Sequence, residues 1–304
     1  NMDSGQGMRV VECVPNFSEG RRPEVVADIV ASITAVQGVT LLDFSSDASH
    51  NRSVVTFVGT PEAVEAAAFA GIARARDLID MEQHHGEHPR LGATDVVPFV
   101  PIAGVTMAEC VDMARSLGRR VGQELDIPVY LYEEAATRPE RRNLADVRRG
   151  EYEGLKLTIG TPERAPDFGP PSVHATAGAT VIGARMPLIA FNVNLGTSDV
   201  EIAKKIAKAV RGSSGGLVYV KALGVMLEEK HVAQVSMNLV NYVKTPIHRV
   251  LEMVRREAAR YGVAVVETEL IGLTPLDAVL DTAAYYLQLP RLSRSQVIEA
   301  RIWE

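Results

Sequence analysis

The chain has 304 residues, 46% of them hydrophobic, and a formal net charge of −6, which is enough apolar content to bury a sizeable core. That charge offers nucleic acid no overall attraction, and no Lys/Arg cluster with interleaved aromatics offers a local one. No apolar run reaches the roughly 20 residues of a membrane-spanning helix, the opening lacks a secretory pattern, and Cys13 and Cys110 are too few for a disulfide framework or a Cys-based metal site. A cytoplasmic protein, binding neither membrane nor nucleic acid, is expected.

The polar, aperiodic start, residues 1–8, is set aside as a disordered tail or cloning remnant. From Arg9, "VVECV" reads as a β-branched strand ending at the turn residues "PNFSEG". Val25, Val26, Ile29, Val30 and Ile33 then recur at helical spacing behind Pro23, and Gly38 closes that helix. "VTLLDFSSD" and "RSVVTFVG" read as strands joined by the polar "ASHN". "TPEAVEAAAFAGIARARDLI" is a helix with Thr60 as N-cap and Pro61 in its first turn, and "TDVVPFVPI" is a strand.

The second half repeats the order. "PLIAFNVNL" is a strand, "SDVEIAKKIAKAVR" a helix, and "GLVYVKALGVML" and "HVAQVSMNLVNY" two strands. "TPIHRVLEMVRREAARYG" is a helix with the same Thr-Pro start, and "VAVVETEL" a strand. Two βαββαβ units predict an α/β (α+β) protein of two pseudo-duplicated, ferredoxin-like subdomains with largely antiparallel sheets, spanning 9–183 and 184–304. Between them, a helix near Thr106–Leu125 and the strand "PVYLY" extend the first unit. The charged run "TRPERRNLADVRRGEYEGL" is expected on the surface. "RAPDFGPPSVHATAGATVIGAR" is long, turn-rich and nearly uncharged, fitting a structured loop along a cleft and a packed connector about equally.

"HHGEHPRLGATDVVPF", His84 to Phe99, concentrates the chemistry. His84 and His88 have the spacing of a helical zinc pair, yet Gly86 and Pro89 oppose a helix, and His85 stands where the metalloprotease pattern puts its Glu. No metal is expected. A His able to take and return a proton, an Arg able to fork onto a carboxylate and the acid Glu87 suit a reaction on an anionic substrate; an exposed polar turn explains the same spacing. Asn16, Asn192 and Asn194 sit near strand ends, with a loop cap favoured for Asn16 and a shared strand face for the other two. His50, His231 and His248 show no such partners and read as ordinary surface or strand residues.

Taken together, "VECVPNFSEG", "NRSVVTFVG", "GEHPRLGATDVVPF", "IPVYLY", "APDFGP" and "GARMPLIAFNVNL" resemble the glutamate formimidoyltransferase family, from about Arg9 to about Leu289. The resemblance implies two α/β subdomains flanking a substrate groove and a homodimer. It implies transfer of the formimino group of N-formimino-L-glutamate to N5 of tetrahydrofolate, in histidine catabolism and one-carbon metabolism. With no cyclodeaminase segment after Glu304, transfer alone is expected. The resemblance puts the catalytic histidine at His88 and the folate-binding segment at Gly169, Pro170, Pro171, Ser172, Val173, His174, Ala175, Thr176, Ala177 and Gly178; Ala175 follows His174 where the family commonly has Pro. Within that reaction His88 would serve as base and then acid. Arg90 would hold a substrate carboxylate, and Asp43, placed at a strand end, would orient His88 or stabilise its charged form, with a capped turn the alternative. The alternatives are a related transferase or hydrolase acting on N-formylglutamate or a similar N-substituted amino acid, and a folate-binding protein without turnover.

Overall fold

The computed structural model describes residues 8–302, so nearly all of the opening set aside as a tail lies outside the described residues. The chain divides into two compact units, one ending at Arg185 and the other beginning at Met186.

The first unit is built on β1 (Val10–Cys13), β2 (Asn16–Phe17), α1 (Pro23–Thr34), β3 (Val39–Asp47), β4 (Arg52–Gly59), α2 (Pro61–Leu78) and β5 (Thr94–Ala103). It continues through α3 (Met107–Glu124), β6 (Val129–Glu133), α4 (Leu144–Val147), α5 (Glu151–Thr158) and β7 (Thr180–Ala184). Both β1 and β2 pair antiparallel with β4 on one side and β5 on the other, so they act as one strand interrupted at Pro15, which has no N–H to give a ladder. Asn16 therefore resumes the strand, its Nδ2 donating to Val14 O at 3.2 Å.

With β3 beside β4, the four strands of the βαββαβ motif lie in the order fourth, first, third, second, all antiparallel. Beyond β5 the sheet changes character, because β7 pairs parallel with β5 and β6 parallel with β7, giving seven strands. β7 was hidden in the sequence, where "TVIGA" reads as the tail of the long loop.

Helix starts follow local chemistry. Thr60 Oγ1 accepts from Ala63 N ahead of Pro61, and Thr106 and Glu109 form a reciprocal capping box on α3. One face of the sheet packs on α1, α2 and α3 through residues such as Ile29, Ile33, Ile72, Phe57, Phe99 and Leu117. The alternate residues Val96, Tyr130, Tyr132 and Val181 point to the opposite face, where Val147, Leu155 and Ile159 cover them. The charged run is thus not a surface strap. Arg141 is buried against Asp167, and Val147, Tyr152 and Leu155 are core residues. Its apolar residues close a sheet face, and its inward charges find opposite partners.

The second unit comprises β8 (Ile189–Leu195), α6 (Val200–Val210), β9 (Val220–Leu227), β10 (Val232–Leu239), α7 (Ile247–Ala259), β11 (Val265–Ile271), α8 (Leu276–Tyr286) and α9 (Ile298–Ile302). Its sheet runs β11-β8-β10-β9, antiparallel throughout. This is again fourth, first, third, second, so the duplication read from the sequence is present in strand order. The Thr-Pro echo is weaker than it looks: Thr60 caps α2, whereas Pro246 occupies the cap position of α7 with no side-chain bond.

Candidate active site

Between α2 and β5 the chain is irregular, as Gly86 and Pro89 require, and it is pinned from three directions. Asn51, in the turn between β3 and β4, adopts the left-handed conformation (φ 50°) that Asn tolerates better than most residues. Its Oδ1 accepts from Gly20 N at 2.9 Å, and its Nδ2 donates to His85 O at 2.9 Å. Its backbone O lies 2.9 Å from His84 Nε2. Arg90 Nε donates to His84 Nδ1 at 3.1 Å, and since an arginine nitrogen only donates, the His84 proton must sit on Nε2, facing Asn51. Burial, then the Arg90 charge, lowers the His84 pKa and keeps this ring neutral.

Arg90 is buried, and its donors are all engaged. Besides His84 Nδ1, it bonds His84 O at 3.2 Å, Glu151 Oε2 at 2.9 Å, and both carboxylate oxygens of Glu153 at 2.7 and 2.9 Å. Five N–H groups meet five acceptors, so the guanidinium clamps the turn onto α5 and has no fork left for a substrate. In this arrangement no Arg90 donor is left over for the substrate carboxylate expected of it.

His88 differs from both. It is half-buried, and no described residue hydrogen-bonds its ring. His50 stands edge-on to it, ring centroids 6.5 Å apart, and lies 3.0 Å from Asp47 through Nδ1, so the expectation that His50 is an ordinary surface residue misses a neighbour of the site. Burial first, then the positive charges of Arg52 and Arg148, lowers the His88 pKa to about 3. The imidazole is neutral at physiological pH, with a nitrogen able to accept a proton. Arg148 reaches Asp95, whose other oxygen accepts from Leu91 N at 2.8 Å, while Arg52 is the first residue of β4.

The segment Gly169 to Gly178 is stitched to both flanks of this turn. Met81 N donates to Thr176 O at 2.8 Å, Ala93 N to Ala177 O at 2.9 Å, and Ala179 N to Leu91 O at 3.0 Å. The crossing is so close that a Cβ on Gly92 would come within 2.1 Å of Ala179 O. Gly178 needs φ +67°, which glycine adopts freely. His174 is an internal brace: its Nδ1 accepts from Thr176 N at 3.3 Å and Ala177 N at 3.1 Å. Gly169, Pro171, Ser172 and Ala175 are exposed. The backbone N–H groups of Ser172, Val173 and Ala175 find no acceptor among the described residues.

Asp43 is not brought into this arrangement. It lies within β3, opposite Thr56, beside a register shift at Leu42, rather than at a strand end, and it is exposed. Its side chain has no hydrogen bond or ion pair among the described residues, so neither the orienting role nor a turn cap has a contact behind it.

In the second unit, Asn194 is buried between Glu267 (2.8 Å) and Gln234, whose Nε2 donates to Asn194 Oδ1 at 2.8 Å. Among the described residues, no group of three or more His, Cys, Asp or Glu is placed to hold a metal ion, and no helix is long and apolar enough to cross a membrane. Sequence reasoning passed over Asn51, Arg52, Arg148 and Asp95. Of these only Asn51 carried a local signal, as an Asn in a short polar link between two strands.

A neutral, half-buried imidazole among guanidinium groups, on a turn braced by its neighbours, is the equipment of an enzyme that moves a proton while handling an anionic substrate. Sequence comparison gives that class its family. The formiminotransferase domain, N-terminal subdomain, matches residues 10–185, and the formiminotransferase domain matches residues 190–302; the chain belongs to this family. It is 54% identical over 281 residues to a glutamate formimidoyltransferase of Streptococcus pyogenes, covering 92% of this chain and 94% of that protein. It is 54% identical over 297 residues to one of Thermoplasma acidophilum, covering 97% and 98%. A formimidoyltransferase-cyclodeaminase of Rattus norvegicus is 48% identical, covering 93% of this chain and 53% of that protein.

Proposed function

We propose that the chain is a glutamate formimidoyltransferase, passing the formimino group of N-formimino-L-glutamate to N5 of tetrahydrofolate and releasing L-glutamate. The observation that carries this reading is the neutral His88 ring, without a hydrogen bond among the described residues, on a turn bonded on both sides to the 169–178 loop, in a chain 54% identical to glutamate formimidoyltransferases.

Tetrahydrofolate supplies the nucleophilic N5. As the new C–N bond forms, His88 accepts the proton that N5 loses, and it returns that proton to the glutamate nitrogen as the old C–N bond breaks. One base that becomes one acid closes the balance. The 84–90 turn holds the imidazole still through Asn51, His84 and Arg90, and such positioning supplies much of the gain in a two-substrate reaction. The free N–H groups of Ser172, Val173 and Ala175 fit a flat heterocycle edged with acceptors, which supports a folate role for the loop. A homodimer in the cytoplasm remains part of this reading.

The test is transfer from N-formimino-L-glutamate to tetrahydrofolate, followed by appearance of 5-formiminotetrahydrofolate. His88→Gln should fold normally by circular dichroism and lose roughly 10²- to 10⁴-fold in kcat, the range for a general acid-base group. Turnover within threefold of the parent would remove His88 from the chemistry.

A further inference from the structure

We propose that Arg52, supported by Arg148, seats a carboxylate of the donor amino acid and so selects anionic donors. This rests on the transfer reading above and names the part of the site that recognises the donor.

The argument starts from an unmet need. Arg52 is partly buried, its Nε is shut off from solvent with no acceptor, and its side chain makes no hydrogen bond or ion pair among the described residues. A guanidinium in that condition has given up water without compensation. The nearby acids are committed elsewhere. Asp47 accepts from His50 N at 2.8 Å and faces His50 Nδ1 at 3.0 Å. Asp95 spends one oxygen on Leu91 N and the other on Arg148. Arg148 also keeps a buried Nε without a partner. Asp95 is thus fully used by Leu91 N and Arg148, and Arg52 keeps a planar fork of donors with no acceptor among the described residues, the shape that grips a carboxylate by two parallel bonds.

The location suits the reaction. Arg52 follows Asn51, which bonds His85 O and faces His84, so the spare donors lie on the strand end against which the His88 turn is pinned. After burial, the charges of Arg52 and Arg148, then those of His50 and His84, lower the His88 pKa, and His50 stands edge-on to its ring. A carboxylate between the two arginines offsets the charges that weaken His88 as a base, so donor binding and basicity rise together.

Steady-state kinetics of the parent, Arg52→Gln and Arg52→Lys, with glutarate as a competing dicarboxylate, test this. Arg52→Gln should raise the KM for N-formimino-L-glutamate and the Ki of glutarate together, by roughly ten- to a hundredfold, as loss of charged hydrogen bonds does. The KM for tetrahydrofolate should stay within twofold. Arg52→Lys, which keeps charge but loses the fork, should fall between; if the Gln variant does not fold, the Lys variant decides. Unchanged KM and Ki in a folded variant would overturn the assignment. A parent chain without turnover would defeat the transfer reading instead, and calorimetric binding of glutarate to parent and variant would still judge Arg52.

Discussion

Arg90→Met separates a substrate-binding arginine from a structural one. Methionine fills similar space without charge, so the change removes five hydrogen bonds and little volume. Glu151 and Glu153, with side chains 44% and 64% exposed, regain water and cost little. The losses concentrate on His84, whose Nδ1 and carbonyl oxygen are left buried without donors, at about 1–3 kcal/mol each. The expected destabilisation is therefore about 2–6 kcal/mol, a large share of the roughly 5–15 kcal/mol that holds a typical fold. With a urea slope of about 2.5 kcal/mol per molar, toward the upper end of the usual range as suits a chain of this size, the unfolding midpoint should fall by roughly 1–2.5 M at unchanged slope. Below the transition, the KM for N-formimino-L-glutamate should move less than threefold. A preserved midpoint with a KM raised tenfold would refute the reasoning and return Arg90 to the substrate.

Four further outcomes follow. His88 is lowered to about 3 in the folded chain against roughly 6.5 unfolded. Between those values the unfolded chain binds the extra proton, so stability should fall as pH drops below about 6.5; His84 and His174 are shifted in the same direction. Melting temperatures across pH 7 to 4.5 should show a shallower slope for His88→Gln, and parallel slopes would contradict it. Gly92→Ala, which sets a Cβ 2.1 Å from Ala179 O, should cost at least about 2 kcal/mol. Gly154→Ala, inside α5 with nothing within 4 Å, should stabilise by about 0.5–1 kcal/mol, both read from urea midpoints. Replacing Pro170 and Pro171 by Gly should raise the KM for tetrahydrofolate several-fold and spare that for N-formimino-L-glutamate; equal effects on both would argue against a folate role for this loop.

Much of the architecture is local in origin and could be read directly. Apolar spacing in α1, the Thr60-Pro61 and Thr106-Glu109 helix starts, and alternation in β4 and β10 are all settled within about four residues, as is the break at Gly86 and Pro89. The repeated βαββαβ order and the chemistry-bearing turn were therefore legible.

Other features depend on partners far along the chain. The run 137–155 looks solvated because its charges dominate its composition, yet Arg148 serves Asp95, 53 positions away, and Glu151 and Glu153 serve Arg90, 61 and 63 positions away. Nothing in "GEHPR" says whether Arg90 or Arg52 has a donor to spare, because that depends on which acceptors the fold delivers to each. His84 meets Asn51 across 33 positions, and "TVIGA" becomes a strand only because β5 and β6 offer edges on both sides. The sequence by itself determined the elements, their order and the residue types at the site, since these follow from propensity and periodicity. Only the tertiary structure decided which arginine is a clamp and which stands open beside His88, because the energy of a buried charge is set by its neighbours in space.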